Sequence, residues 1–317
     1  MIPTYNCASF LEEALASVLA NDPGPDLMQI EVVDDCSTTD DPGEVVQRIG
    51  RGRIDFFRQP ANVGHARNFN RCIQPSRVTL IHILHWDARI GEGFYGRMAE
   101  AFERDAEIGA AFCRVRVIDE DGAVRYDMPA LQPNSGRVAD AVRTMAVRQP
   151  VETPAIVVRR EVYERLGGFD HRLKYCGEDL EMWVRIAARY PIRYEAETLA
   201  LYRTHTRSLS SASVRTGQDI RDVRSAIDTF RAYLPPEEAD DIVARARSVV
   251  GVWAVNIARD AVSRNDFAAA RSQIREALNC SRSAPVMAAL TRLVFSTTGR
   301  KARRALRRIR NLSFAIR

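Results

Sequence analysis

Hydrophobic and polar positions along this chain fall into two regimes. From Pro3 to about Thr206, short runs rich in β-branched and aromatic residues alternate with stretches of helical spacing. The runs are QIEVV (29–33), RIDFFR (53–58), RVTLIHIL (77–84), AAFCRVRVID (110–119) and PAIVVRR (154–160), and they predict strands. Between them, ASFLEEALASVLA and GFYGRMAEAFERD repeat their apolar residues every three or four positions, which predicts helices. Such alternation predicts an α/β domain built on a mostly parallel sheet flanked by helices.

From about Val214 the strand pattern stops. IVARARSVVGVWAVNIARDAV and NDFAAARSQIREAL read as two helices joined at SRND, while LPPEE (234–238) and Pro285 interrupt the pattern. No repeat period is present, which argues against a repeat array. The expected organisation is an α/β domain over 1–210, an all-helical appendage over 211–299 and a basic tail over 300–317. The appendage is suited to covering one side of the larger domain or to pairing two copies as a homodimer. Only Met1 and Ile2 precede PTYN, which reads as the turn after a strand. A central strand usually has about 5–6 residues, so the first strand is expected to be truncated, with its natural start upstream.

Composition adds limits. With 317 residues, 46% hydrophobic and 27% charged, the chain can bury one large core and an appendage. Its longest apolar runs, such as Val249–Val255, fall far short of the roughly 20 residues that span a bilayer. The six cysteines form no CxxC pair, and no signal-peptide pattern precedes the first motif, so a reducing cytoplasm is expected.

The net charge of +5 is a property of the tail: residues 300–317 carry eight Lys or Arg and no acid, leaving 38 basic against 41 acidic residues elsewhere. That distribution argues against a nucleic-acid-binding body. In the tail, Ala302, Leu306, Ile309, Leu312 and Ile316 form a helical stripe opposite the arginines, a pattern suited to an anionic membrane surface.

Candidate chemistry collects where strands end. IEVVDDCSTTDD closes a strand with Asp34 and Asp35, where ligands of open α/β sheets bind, although the same residues also suit a cap or an Asx-turn. NVGHARNFN sets Asn62, Gly64, Arg67 and Asn70 in a loop entering a helix, either to position a ligand or to cap. ILHWDARI contributes Asp87, a turn acid or an oxygen ligand for a hard divalent cation on phosphates. In GEDLEMWVR, Leu180, Trp183, Val184 and Ala187 follow helical spacing, placing Glu178 and Asp179 at a helix start. The macrodipole favours acids there, and a general base at that point would face the site. His205, in YRTHTRSLS, is a metal or phosphate ligand or a structural residue.

The ordered series IPTYN, VVDDCSTTD, NVGHARNFN, ILHWD, GGFD, GEDLEMWVR and YRTHTRSLS resembles the family 2 glycosyltransferases of the GT-A fold, over residues 1 to about 210. The resemblance implies inverting, metal-dependent transfer of a sugar from a nucleotide-diphosphate donor to a hydroxyl acceptor, a saccharide or lipid-linked saccharide, in polysaccharide or glycolipid synthesis. It implies that Tyr5 stacks on the donor's base, that Asp35 hydrogen-bonds the base with Asp34 supporting the loop, and that Arg67 and Asn70 lie along the nucleotide pocket. Asp87 would bind Mg²⁺ or Mn²⁺ with His205, Gly167 and Gly168 would approach the donor's phosphates or sugar, and Asp179, beside Glu178, would be the catalytic base.

The sequence departs from the family's acid-x-acid metal motif, because His85 replaces the first acid and Ala88 follows Asp87. One carboxylate remains, so metal affinity without donor is expected to be weak. His85 is expected to pack or to contact the ribose, since imidazole is a soft partner for Mg²⁺, and Trp86 to be a wall. The altered motif keeps an alternative open, a catalytically impaired nucleotide-sugar-binding scaffold. A nucleotidyltransferase is disfavoured by the lack of a glycine-rich, lysine-bearing phosphate loop. The expected location is cytoplasmic, peripheral on the inner face of the membrane through residues 300–317.

Overall fold

The computed structural model describes residues 1–205 and 213–295. Strands β1 (Ile2–Thr4), β2 (Glu31–Asp34) and β3 (Asp55–Arg58) form a parallel sheet in that order. Parallel neighbours need a crossover, and helices α1 (Ala8–Leu19) and α2 (Pro42–Gly50) supply it. Asp41 caps α2 by accepting the Gly43 amide at 2.9 Å, with Pro42 in the first turn, a combination that starts helices.

After α3 (His65–Ile73), a second sheet contains β4 (Leu80–His82), β5 (Arg89–Ile90), β6 (Ala110–Ile118), β7 (Val124–Asp127), β8 (Gly136–Arg137), β9 (Ile156–Arg159) and β10 (Ile192–Arg203). Its order is β4-β9-β6-β10-β5, with β7 beside β6 and β8 beside β10. Helix α4 (Phe94–Arg104) precedes β6, a short helical segment α5 (Ala141–Arg143) follows β8, and α6 (Arg160–Leu166) and α7 (Glu178–Ala187) lie between β9 and β10.

The two sheets meet at Met1. Its amine donates to the His82 carbonyl at 3.0 Å and its carbonyl accepts the Leu84 amide at 3.0 Å, the pattern of a parallel bridge. Strand β9 pairs antiparallel with both β4 and β6, and β10 pairs parallel with β6, so β1, β2, β3, β4, β6 and β10 all point the same way. The carboxyl ends of those strands and the amino end of β9 therefore open on one edge. This edge is where an open α/β sheet binds its ligands.

Past the undescribed residues 206–212, where the boundary near 210 was expected, come α8 (Gln218–Phe230), α9 (Ala239–Ser263), α10 (Phe267–Cys280) and a helical stretch over 284–295. Helices α9 and α10 match the two expected around SRND, and Asp266 caps α10 by accepting the Ala269 amide at 3.1 Å. Ile220, Val223, Ile227 and Phe230 of α8 are buried in one apolar cluster with Met182 and Trp183 of α7. At about 1.5–3 kcal/mol for each fully buried side chain, this face fixes α8 against α7. Gly177 makes the approach possible: a Cβ on it would stand 3.1 Å from Val223 Cα and 3.1 Å from Ala226 Cβ, and its φ of 89° suits glycine. The basic stripe over 300–317 lies outside the described residues, and no helix among them is long and apolar enough to cross a membrane.

Candidate active site

The half of the open edge formed by the ends of β1 and β2 is a set of loops held by acids. Asp34, fully buried at the end of β2, accepts the Ser37 amide at 3.1 Å and the Ser37 hydroxyl at 2.5 Å. Arg58 of β3 pairs with Asp34 at 3.4 Å and also donates to the Ser37 carbonyl. Ser37 in turn accepts the Asn6 amide at 2.8 Å, and the Asn6 side chain accepts the amides of Thr38 at 2.8 Å and Thr39 at 3.1 Å. The turn after β1 and the loop after β2 are thus laced together, with Tyr5 left 43% exposed between Thr4 and Asn6.

Asp35 reaches the next loop, accepting the amides of Val63 at 2.8 Å and Gly64 at 2.9 Å. Burial raises its carboxyl above the ordinary value, and the two amide bonds oppose that shift. Arg67 is exposed on α3. The side-chain amide of Asn70 brackets Phe169, donating to its carbonyl at 2.9 Å and accepting from its backbone N–H at 2.7 Å. A Cβ on Gly168 would lie 2.0 Å from Asn70 Oδ1, so the glycine makes room for that bracket. Arg185 of α7 donates to the carbonyls of Leu166 at 2.7 Å and Gly168 at 2.8 Å, locking the Gly167–Gly168 loop from its other side.

The segment after β4 brings Asp87 to His205, with Oδ2 and Nε2 2.9 Å apart. Trp86 stacks on Phe10 at 5.9 Å and meets the His205 ring edge-on at 5.6 Å, while Phe10 lies 5.3 Å from that ring. The clamp behind this arrangement is Arg203, a fully buried side chain at the end of β10. It donates to the carbonyls of Asp87 at 3.0 Å and Glu120 at 2.8 Å, pairs with Glu13 at 2.7 Å and lies 4.5 Å over the Phe10 ring. His85 packs on Phe69 at 5.5 Å; its Nε2 is buried without a hydrogen-bond partner among the described residues, and burial lowers its proton affinity.

One hard carboxylate and one imidazole in direct contact fit a divalent cation that takes its remaining ligands from phosphate oxygens and water. Among the described residues no group of three or more His, Cys, Asp or Glu could hold a metal by itself.

At the start of α7, Glu178 is buried and Asp179 half-buried. Asp179 has few partners: Oδ1 accepts the Leu180 amide at 2.7 Å and Oδ2 the Thr153 hydroxyl at 3.4 Å. Burial first, then the like charges of Glu178 and Glu152, raise its carboxyl to about 7. Glu152, just before the turn Thr153–Ala155 that leads into β9, is raised to about 7 by burial alone. That turn is held by His82, whose Nε2 lies 2.9 Å from the Pro154 carbonyl. Burial pushes His82 down to about 3, so it is neutral, with its proton on Nε2 and Nδ1 free to accept from Tyr95 at 3.3 Å.

The structure therefore brings Asp87, His205, Glu178 and Asp179 to one edge with Asp34 and Asp35. Tyr202 lies among them: the charge of Glu152, then burial, then the charges of Asp87 and Asp179 push its hydroxyl well above the ordinary value. Glu152, Tyr202 and Arg203 are not among the sequence candidates, Tyr202 and Arg203 because they close β10, a strand the pattern does not reveal. Glu152 stands at the amino end of an antiparallel strand, and a buried arginine carries no motif.

Solved structures share the fold. One is residues 1–349 of S. aureus TarS in complex with UDP-GlcNAc, at TM-score 0.60 and 14% identity, covering 86% of this chain and 89% of that one. Another is a mannosyltransferase of Pyrobaculum calidifontis in complex with GDP-Man and Mn²⁺, at TM-score 0.58 and 17% identity, covering 93% and 86%. The profile of Glycosyl transferase family 2 matches residues 1–167, and the chain belongs to that family. An uncharacterized protein of Mycobacterium tuberculosis is 28% identical over 231 residues, 67% of this chain and 68% of the relative. An uncharacterized glycosyltransferase of Mycoplasma pneumoniae is 26% identical over 179 residues, 55% of this chain and 57% of the relative. The chain spans 54% of the longer TarS chain.

Proposed function

We propose that this glycosyltransferase is inverting and metal-dependent, moving a sugar from a nucleoside-diphosphate donor to a hydroxyl acceptor. The observation that carries the reading is a half-buried carboxyl, Asp179, raised to about 7 on the same sheet edge as the Asp87–His205 contact. Inversion is a single displacement at the anomeric carbon and requires a base for the acceptor's proton. A base is most effective when its proton affinity lies near the working pH, and Asp179 meets that requirement. Asp87 and His205 would hold Mg²⁺ or Mn²⁺, which supplies positive charge for a departing diphosphate when bound.

On the donor side, exposed Tyr5 is offered for stacking on the base. Asp35 holds the neighbouring loop and keeps a lone pair on each oxygen for a base N–H. Arg67 lines the same pocket. Asn70, Gly167 and Gly168 act on it indirectly, through the bracket on Phe169.

The solved neighbours carry UDP-GlcNAc or GDP-Man, so a donor panel starts from UDP- and GDP-sugars and adds dTDP-sugars. Mn²⁺-stimulated release of the nucleoside diphosphate, with an inverted product anomer by NMR, is the expected result. The His85-Trp86-Asp87-Ala88 departure favours one rival, a nucleotide-sugar-binding scaffold. Donor binding without release by any member of the panel would support that rival and overturn the enzyme. A retained anomeric configuration would overturn the single displacement.

The acceptor side belongs to polysaccharide or glycolipid synthesis in this reading, on the inner face of the membrane with residues 300–317 as the lipid contact. Cosedimentation of the full chain with anionic liposomes, and its loss on truncation to 1–299, tests that contact. Equal sedimentation of both removes it.

A further inference from the structure

One buried contact joins the two halves of the cleft, and no role assigned so far uses it. His65 opens α3 directly after Gly64, whose amide is held by Asp35. Its Nε2 stands 3.2 Å from Oε1 of Glu178, the first residue of α7, with the two side chains only 20% and 11% exposed. The imidazole also meets Phe69 edge-on at 5.8 Å, which fixes the ring. Neither His65 Nε2 nor the other oxygen of Glu178 has a hydrogen-bond partner among the described residues, so the contact is an ion pair rather than a hydrogen bond. A carboxylate buried in that way depends chiefly on its contact with His65, because an unpaired buried charge is strongly disfavoured.

The surrounding charges agree with an ionised pair. Burial works to discharge His65, but Glu178, with Asp179 and Asp222 behind it, outweighs burial and holds the imidazole above its ordinary value. Burial likewise opposes ionisation of Glu178, yet His65 and, more weakly, His85 keep it below the usual carboxylate range. Glu152 completes the set by acting on Asp179 from the turn before β9, and the charge of His65 acts in turn on Asp35 in the neighbouring loop.

We propose that His65 is a positioning residue for sugar transfer: its contact with Glu178 ties the loop held by Asp35 to the first turn of α7 and so sets Asp179 against the donor-side half of the cleft. The inference rests on the reading of Asp179 as the base.

The test compares His65→Leu, His65→Gln and Asp179→Asn as full chains, using the UDP- or GDP-sugar that the release assay selects. In His65→Leu, kcat should fall about 10- to 100-fold, as a base displaced by a fraction of an ångström would cause, with donor KM within about twofold. A buried carboxylate stripped of its cation takes up a proton, so Asp179 loses a like-charged neighbour. The inflection in the pH–kcat profile should then move down by about half a unit or more. His65→Gln, whose side-chain amide keeps a polar partner beside Glu178, should recover most of kcat.

Wild-type kcat and an unmoved inflection in His65→Leu would overturn the inference. If Asp179→Asn loses turnover in the same experiment, only the role of His65 has failed; if Asp179→Asn turns over normally, the base assignment has failed. Should His65→Leu not fold, Glu178→Gln keeps the side chain's shape and is judged by the same fall and the same shift.

Discussion

Asp34 and Asp179 stand on the same edge of the same sheet and live in opposite surroundings. Asp34 is fully buried, but its oxygens are spent on the Ser37 amide and hydroxyl and on Arg58. Asp179 is less buried, accepts one amide and a distant hydroxyl, and shares its space with two other carboxyls. Burial and those like charges raise the proton affinity of Asp179 to near neutrality. Partners, more than depth, separate an acid that builds a loop from one equipped to move a proton. Asp35 is a loop builder as well: two amides hold it, although burial raises its carboxyl.

The contrast can be broken most sharply at Asp179. Asp179→Asn should lower turnover by about 10²–10⁴-fold while donor affinity, measured calorimetrically, stays within about twofold. Loss of donor binding instead would make Asp179 another loop builder. Asp87→Ala should come next, weakening Mn²⁺-dependent donor binding by about 10–100-fold in a metal titration, because it removes the carboxylate of a two-residue site. Unchanged metal stimulation would remove Asp87 from that role.

Asp34→Ala should act on the fold. Stripping the Ser37 amide and Arg58 of a buried charged partner costs about 2–3 kcal/mol, read as a lower urea midpoint. Gly168→Ala should cost about 1–3 kcal/mol in the same assay, since the new methyl would displace the Asn70 bracket.

The smallest effect has the opposite sign. Because the folded-state value of Asp179 is raised to about 7, the stability associated with its protonated form is complete at low pH and is lost as pH rises through that value. Asp179→Asn should therefore be more stable than wild type at pH 8, by about 1 kcal/mol in urea unfolding, and show no such gain at pH 4.

Much of this was legible in the chain, for identifiable reasons. The apolar runs at 29–33, 53–58, 77–84, 110–119 and 154–160 overlap β2, β3, β4, β6 and β9, since β-branched runs bounded by turn residues are strong strand signals. Strand β10 was not, because IRYEAETLALYR mixes charges and alanine into its length. Its pairing with β6 also slips between Glu195 and Ala200, which breaks the alternation that would reveal it.

The strand-end rule finds Asp34, Asp35 and Asp87 but misses Glu152, because β9 runs against its neighbours and presents its amino end to the cleft. Asn70 and Gly168 illustrate another limit. A polar residue in a loop-to-helix segment and a paired glycine each suggest a ligand, and only the three-dimensional structure reveals that they fit each other. The His65–Glu178 contact, between residues far apart in sequence, has no local signature at all.

The most direct measurement is the pH dependence of kcat/KM for the wild-type protein and Asp179→Asn with Mn²⁺ present. The wild type should rise with pH through an inflection at about 7, and the variant should run flat beneath it. The same inflection surviving in Asp179→Asn at comparable rates would contradict the assignment of the base.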